Sequence, residues 1–152
     1  MSQLELSLLE QIEGICQSRG VRLTPQRKRV FELIFASKSA SSAYDLLDRL
    51  KESEPQAKPP TVYRALDFLL EQGFIHRVES TNSFISCCSF GTHKHFSHLL
   101  ICDKCGNVAE HQDDQLVALL AKNSEKQGFQ LTNHVIETHG TCKSCFSDFT
   151  DK

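Results

Sequence analysis

Apolar residues recur along the first half of the chain at helical intervals, and four amphipathic helices are predicted from them. Leu4, Leu8, Ile12 and Ile15 form a stripe that breaks after Gly20. Thr24-Pro25 has the chemistry of a helix start, Thr as N-cap and Pro in the first turn, with Val30, Leu33 and Ile34 as the buried face. Ser41 and Ser42 open a third helix carrying Ala43, Leu46, Leu47 and Leu50, which runs out at Glu54-Pro55 because the residue before proline resists the α region. Pro59-Pro60-Thr61 starts the fourth and Gly73 stops it, giving Thr61–Gln72. At ~100° per residue Val62, Ala65, Leu66 and Leu69 share one face, with Arg64, Asp67 and Glu71 opposite and Tyr63 on the flank.

After Gly73 the period shortens. Phe74–Glu79 and Ser83–Cys88 are β-like stretches around the polar turn Ser80-Thr81-Asn82. Helices followed by a two-stranded hairpin are the order of a winged helix-turn-helix, in which the fourth helix enters the DNA major groove and the hairpin is the wing. A plain helical bundle with a wet polar face fits the same pattern. Arg27-Lys28-Arg29 leans toward DNA, since phosphate contacts need such groups. Farther on, Asp113 and Asp114 cap a helix bearing Leu116, Leu119 and Leu120, and Val135-Ile136 lies in a strand-like stretch. The whole reads as an α+β protein.

Composition changes this picture in one respect. The chain of 152 residues is 39% hydrophobic and 24% charged, a balance that excludes wholesale disorder. No apolar run approaches the ~20 residues of a membrane span, and the start lacks a secretory signal pattern, so a cytoplasmic chain with no membrane partner is expected. The net charge of −2 announces no polyanionic partner. Seven Cys and seven His do stand out, and in a reducing compartment they suggest metal before disulfides. Cys16 is alone before Cys87, and six of the seven His lie beyond position 90. The break near Ser89-Phe90-Gly91-Thr92 predicts a DNA-binding domain over 1–88, a linker at 89–92 and a metal-rich domain over 93–152.

Cys102-x-x-Cys105-Gly106 and Cys142-x-x-Cys145 are two knuckles separated by 36 residues. A two-residue gap turns both thiolates toward one ion, so two knuckles complete a closed tetrahedral S₄ site of the structural kind. A thioredoxin-like motif expects a single C-x-x-C at a βα junction, and a zinc deaminase needs a preceding Pro and an upstream His-x-Glu. Neither pattern is present.

A second site follows from the hairpin. A turn symmetric about Thr81-Asn82 pairs residues whose numbers sum to 163, which sets His76 opposite Cys87 on one face and turns Cys88 to the other. One His and one Cys are half a site. The other half must come from beyond the linker, where His93, His95, His98, Glu110 and His111 are available.

Several longer segments resemble the ferric uptake regulator family of bacterial metal-sensing repressors. They are Leu23-Thr24-Pro25-Gln26-Arg27, Thr61-Val62-Tyr63-Arg64-Ala65-Leu66, Ile101-Cys102-x-x-Cys105-Gly106 and His139-Gly140-x-Cys142-x-x-Cys145. Ser42–Leu47, Pro59–Phe74 and Val78–Ser83 look like the zinc-uptake branch of that family. The resemblance implies a homodimer with an N-terminal winged helix and a C-terminal α/β dimerisation domain. It also implies two Zn²⁺ per chain, a structural one at Cys102, Cys105, Cys142 and Cys145 and a regulatory one at His76, Cys87, His95 and Glu110. Tyr44 and Arg64 are then the residues that meet the bases or their surroundings, with Thr61 and Tyr63 beside them on the DNA-facing surface.

The implied function is a zinc-responsive repressor of zinc-uptake genes on a palindromic double-stranded operator, with no catalytic residues and no small-molecule substrate. Regulation by iron, manganese or peroxide is the alternative within the family, though the soft Cys87 thiolate favours zinc over Fe(II). A zinc-stabilised protein-interaction module is the alternative outside it. Some relatives hold a third metal on His residues matching the His93–His98 stretch and His134, but the spacing here is irregular and no such site is assigned.

Overall fold

Local capping accounts for most of the helix boundaries. In the computed structural model, which describes residues 2–37, 39–87, 96–132 and 135–147, helix α1 (Gln3–Arg19) starts in a capping box between Ser2 and Glu5. Helix α2 (Pro25–Ala36) starts on Thr24, whose hydroxyl accepts from the Arg27 amide. A two-residue strand, β1 (Ser41–Ser42), leads into α3 (Ala43–Ser53), boxed by Ser42 and Asp45. Helix α4 (Pro59–Glu71) has proline in its first turn and no side-chain cap. It ends with Gly73 at φ 77°, where the Gly73 amide donates to Leu70 and the Phe74 amide to Leu69. That paired closure is a Schellman motif, and it needs the left-handed residue that glycine supplies.

Strands β2 (Ile75–Val78) and β3 (Ser83–Ser86) follow. The chain divides into two compact units, Met1–His93 and Lys94–Lys152. The proposed linker 89–92, with Cys88, His93 and His95, lies outside the described residues, as does His134.

One contiguous core fills the first unit. It draws Leu9, Ile12 and Cys16 from α1, Val30, Phe31, Leu33 and Ile34 from α2, Leu46, Leu47 and Leu50 from α3, and Val62, Ala65, Leu66 and Leu69 from α4. The α4 face is the one predicted, and the α1 stripe holds in part: Ile12 is fully buried and Ile15 packs against the core, whereas Leu4 is 64% exposed. The buried residues of α1 are Leu9, Ile12 and Cys16. Truncating a fully buried leucine such as Leu66 or Leu69 to Ala costs about 2–5 kcal/mol, a large share of a domain's total stability.

Two further expectations are corrected. The hairpin pairs Val78 with Ser83 and His76 with Ile85, so position numbers sum to 161 rather than 163. The turn is four residues, Glu79–Asn82, closed by Thr81 N–H to Val78 and Asn82 N–H to Glu79, with Asn82 in the left-handed region at φ 48°. A shift of two residues keeps every side chain on its face, so Cys87 becomes the diagonal neighbour of His76. The wing is also three-stranded, in the order β1-β3-β2, because Ser41 and Ser42 pair with Phe84 and Ser83.

The basic run does not face outward as a group. The Arg27 guanidinium lies 3.9 Å from the Phe68 ring centroid and donates to the Arg22 carbonyl at 2.6 Å. Lys28 pairs with Glu13, and Arg29 pairs with Glu32 at 3.1 Å. Arg27 and Lys28 thus tie α2 to α4 and α1, and Arg29 pairs within α2, which are different uses from neutralising phosphate.

The second unit is a sheet with two helices. Strands β4 (Ser97–Cys102) and β5 (Val108–His111) are antiparallel, and β6 (Val135–Gly140) lies parallel to β4 on its other side. Helix α5 (Asp114–Lys126), capped by Asp113, forms the crossover that a parallel pair requires, and α6 (Lys143–Ser147) ends the described chain. Helix α5 has no buried residue, and Leu100, Leu119, Phe129 and Phe146 are exposed. No helix among the described residues is long and apolar enough to cross a membrane.

Candidate metal centres and DNA-facing surface

The 36 residues between the knuckles are explained by the register of β4 and β6. Cys102 ends β4 directly beside Gly140, which ends β6, so the two knuckles leave the sheet side by side. The first turns tightly: the Gly106 amide donates to the Cys102 carbonyl at 2.9 Å, with Gly106 at φ 73°. The second opens α6, whose first turn carries Cys145 while Cys142 accepts from the Phe146 amide.

The four sulfurs of Cys102, Cys105, Cys142 and Cys145 all lie within 4.8 Å of one another, and Cys105 and Cys142 are 3.7 Å apart. A tetrahedral ion with Zn–S bonds of about 2.3 Å sets its sulfurs about 3.8 Å apart, so the cluster has the dimensions of the site.

Charge points the same way. The Cys142 amide donates to the Cys102 sulfur at 3.3 Å and, with the Cys105 and Lys104 amides, lowers the Cys102 thiol to about 6. Hydrogen bonds with Cys142 and Cys105 push Cys145 up to about 12. Cys105 is pulled down by the Asn107 amide, but its contacts with the Cys102 and Cys142 sulfurs outweigh that and leave it raised. One sulfur is ready to ionise while Cys105 and Cys145 resist, because their thiols share hydrogen bonds with neighbouring sulfurs. A dication among them removes the conflict. The donor set therefore fits zinc, and four protein ligands make the site closed.

A tie between the knuckles was not read from the sequence. His139 in β6 shares a hydrogen bond with Asp103, in the first knuckle, at 2.9 Å, and its other ring nitrogen lies 3.4 Å from Glu137. The Asp103 hydrogen bond raises the imidazole pKa above its ordinary 6.5. Along the chain each residue sits near a cysteine, and His139 lies in the His139-Gly140-x-Cys142 segment noted above, but nothing there pairs the two.

On the wing, His76 and Cys87 are both buried, and a ring nitrogen of one lies within 4.8 Å of the sulfur of the other. They meet diagonally, as the corrected register requires. Glu110, on β5 in the second unit, is half-buried and accepts from the Ser97 hydroxyl at 2.6 Å. That buried serine fixes the carboxylate's direction, and no motif or spacing along the chain marks it. His95 lies outside the described residues. His98 and His111 pair across β4 and β5 with ring centroids 6.2 Å apart, and no third ligand joins them among the described residues.

Of the predicted DNA-facing residues, Tyr44 in the first turn of α3 is 77% exposed and Tyr63 on α4 is 52% exposed. Arg64 is exposed, and Thr61 is half-buried in the first turn of α4. Exposed aromatic rings and a guanidinium on the outer side of an otherwise well-packed domain are groups available to an external partner.

The sequence profile of the ferric uptake regulator family matches residues 18–139. The zinc uptake regulation protein of Escherichia coli (strain K12) is 55% identical over 138 residues, which covers 91% of this chain and 81% of that protein. A solved zinc uptake regulator complexed with zinc and DNA superposes with a TM-score of 0.93 at 51% identity, over 98% of this chain and 99% of that one. Holo XcZur superposes with a TM-score of 0.85 at 40% identity, over 93% and 98% of the two chains.

Proposed function

The chain belongs to the ferric uptake regulator family, and from that premise we infer that it is a zinc-responsive repressor that binds the operators of zinc-uptake genes as a dimer. The observation that carries this reading is the likeness along almost the whole chain to a zinc uptake regulator complexed with zinc and DNA. The winged helix serves DNA, the C-terminal α/β unit serves dimerisation, and the protein is a regulator rather than an enzyme. It acts in the cytoplasm, where operator DNA is found.

Two zinc ions per chain are proposed. Cys102, Cys105, Cys142 and Cys145 hold the structural one, supported by the sulfur spacing and the thiol conflict it relieves. His76, Cys87, His95 and Glu110 hold the regulatory one, supported by the meeting of His76 and Cys87 and by the oriented Glu110 carboxylate. An ion there would be a positive centre for imidazole, thiolate and carboxylate donors. With a single thiolate, that site suits an exchangeable ion better than a set of four does. Both ligand types must shed protons to coordinate, so sensing weakens as pH falls.

The exposed apolar side chains of the second unit, Leu100, Leu119, Phe129 and Phe146, are surface that a second copy covers. A two-fold dimer suits a palindromic operator with half-sites about one helical turn apart, roughly 34–36 Å. Arg64 can form a bidentate pair with a purine edge, most naturally guanine O6 and N7, while Tyr44, Thr61 and Tyr63 contact its surroundings.

A mobility-shift titration on a palindromic operator tests the reading. Affinity rises steeply with free zinc if it is right. Binding that ignores zinc but responds to iron, manganese or peroxide refutes the zinc assignment.

A further inference from the structure

The residues that end α4 also hold the wing's metal pair. Phe74 is fully buried, and its amide closes the helix by donating to Leu69 at 2.9 Å. Its carbonyl accepts the Cys87 amide, also at 2.9 Å. The same peptide neighbourhood is gripped from α1. Arg19 donates from Nη1 to the Gln72 carbonyl at 2.7 Å and to the Gln72 side-chain oxygen at 3.2 Å, and its guanidinium lies 5.8 Å from the Phe74 ring centroid. A cation at a helix C-terminus, bonded to the C-cap carbonyl, is favourably placed against the helix dipole. Only the short run Gln72-Gly73-Phe74-Ile75 separates the end of α4 from His76.

We infer that Arg19 is a positioning residue which, through Gln72 and Phe74, couples occupancy of the His76–Cys87 pair to the setting of α4 inside its own domain. The inference rests on the regulatory-site reading above. It adds a route that does not depend on how the two units of the chain are placed. Drawing the Cys87 sulfur and the His76 ring toward one ion loads the Cys87 amide on Phe74, and Phe74 is part of the α4 closure. With Arg19 fixing the other side of that closure, the loop cannot absorb the change by loosening, so it is passed to the helix. A packed, fully hydrogen-bonded junction behaves this way because it has no slack to give.

The test uses the full-length dimer and Arg19→Met, which keeps an aliphatic stem over Phe74 and removes the donors. Chelator competition gives the zinc affinity of the regulatory site with and without operator DNA, and the ratio is the coupling factor, which linkage makes equal to the zinc effect on DNA affinity. Amide hydrogen exchange at Phe74, with and without zinc and with no DNA present, reads the junction directly.

The wild type should slow Phe74 exchange about tenfold on zinc binding, within the usual range of coupling between sites. Arg19→Met should keep its DNA-free zinc affinity and its circular dichroism while its coupling factor falls about tenfold and Phe74 no longer responds. Arg19→Lys, which can still donate to the Gln72 carbonyl, should recover part of the coupling. A purely structural Arg19 would lower the melting temperature and leave the coupling factor of the folded dimer intact, and that result overturns the inference. Should Arg19→Met not fold, the wild-type exchange measurement decides: zinc-dependent DNA binding without any change at Phe74 also overturns it. Wild-type DNA binding that ignores zinc sinks the functional reading instead, so the two failures are told apart.

Discussion

Arg27→Met separates two uses of a cation that sit close together in the sequence. Arg27 belongs to a run of three basic residues, the kind of feature that suggests phosphate contact, yet its guanidinium covers the Phe68 ring at 3.9 Å and bonds the Arg22 carbonyl. A partly desolvated cation–π contact is worth about 0.5–2 kcal/mol, and a charged hydrogen bond about 1.5–3 kcal/mol net of the bonds lost to water. Arg27 is half-buried and its carbonyl contact is exposed, so the lower parts of those ranges apply and methionine still covers the ring. The expected loss is about 1–2 kcal/mol, roughly 5–15 °C in the melting of a unit this size.

The salt dependence of DNA binding should not change. Each phosphate contact contributes about 0.9 to the slope of log K against log salt, and a dimer carries every contact twice, so losing one shifts the slope by about 1.8. Operator titrations at four or five salt concentrations, beside thermal melts, give both numbers. A slope reduced by about 1.8 with unchanged stability would refute the internal assignment of Arg27.

Arg64→Ala should do the reverse: little change in melting, a loss of about 1–3 kcal/mol in operator binding, and relaxed preference at one base position per half-site, read by binding to an operator library. Cys87→Ser should leave a folded dimer that keeps one zinc per chain and has lost its zinc response, whereas Cys102→Ser should lose the structural zinc and destabilise the second unit. Metal content and gel filtration distinguish them, and identical behaviour would defeat the division into two sites.

His139, raised above 6.5 chiefly by its hydrogen bond to Asp103, contributes stability that is full below pH 6.5 and is lost as pH rises through its higher folded value. An NMR titration of its ring should show a midpoint above 6.5 that falls in Asp103→Asn. An unchanged midpoint would mean that Asp103 is not the cause.

Local chemistry in this chain was readable without a structure, and long-range chemistry was not. Thr24-Pro25, Ser42, Pro59-Pro60 and Gly73 act on amides and carbonyls within one turn of themselves, so they mark the starts of α2, α3 and α4 and the end of α4 from the order of residues alone. The two-residue spacing in each cysteine pair likewise declares half a metal site. Convergence of the two halves depends on β4 and β6 lying parallel with Cys102 beside Gly140, a pairing across 38 residues that no local period encodes.

The wing shows the same limit on a smaller scale. Alternation assigned His76 and Cys87 to one face, while the turn decided which residue stood opposite which, because a two-residue slip leaves the alternation untouched. Charge was the least legible property of all. Arg19, Arg27, Lys28 and Arg29 look alike in a sequence, and only the packed domain decides which cations meet a ring, a carbonyl or a carboxylate and which, like Arg64, are left facing outward. The chain's order of residues sets what each segment can form. The tertiary contacts choose its partners, since a partner 53 positions away, as Gln72 is from Arg19, is brought near only by the fold.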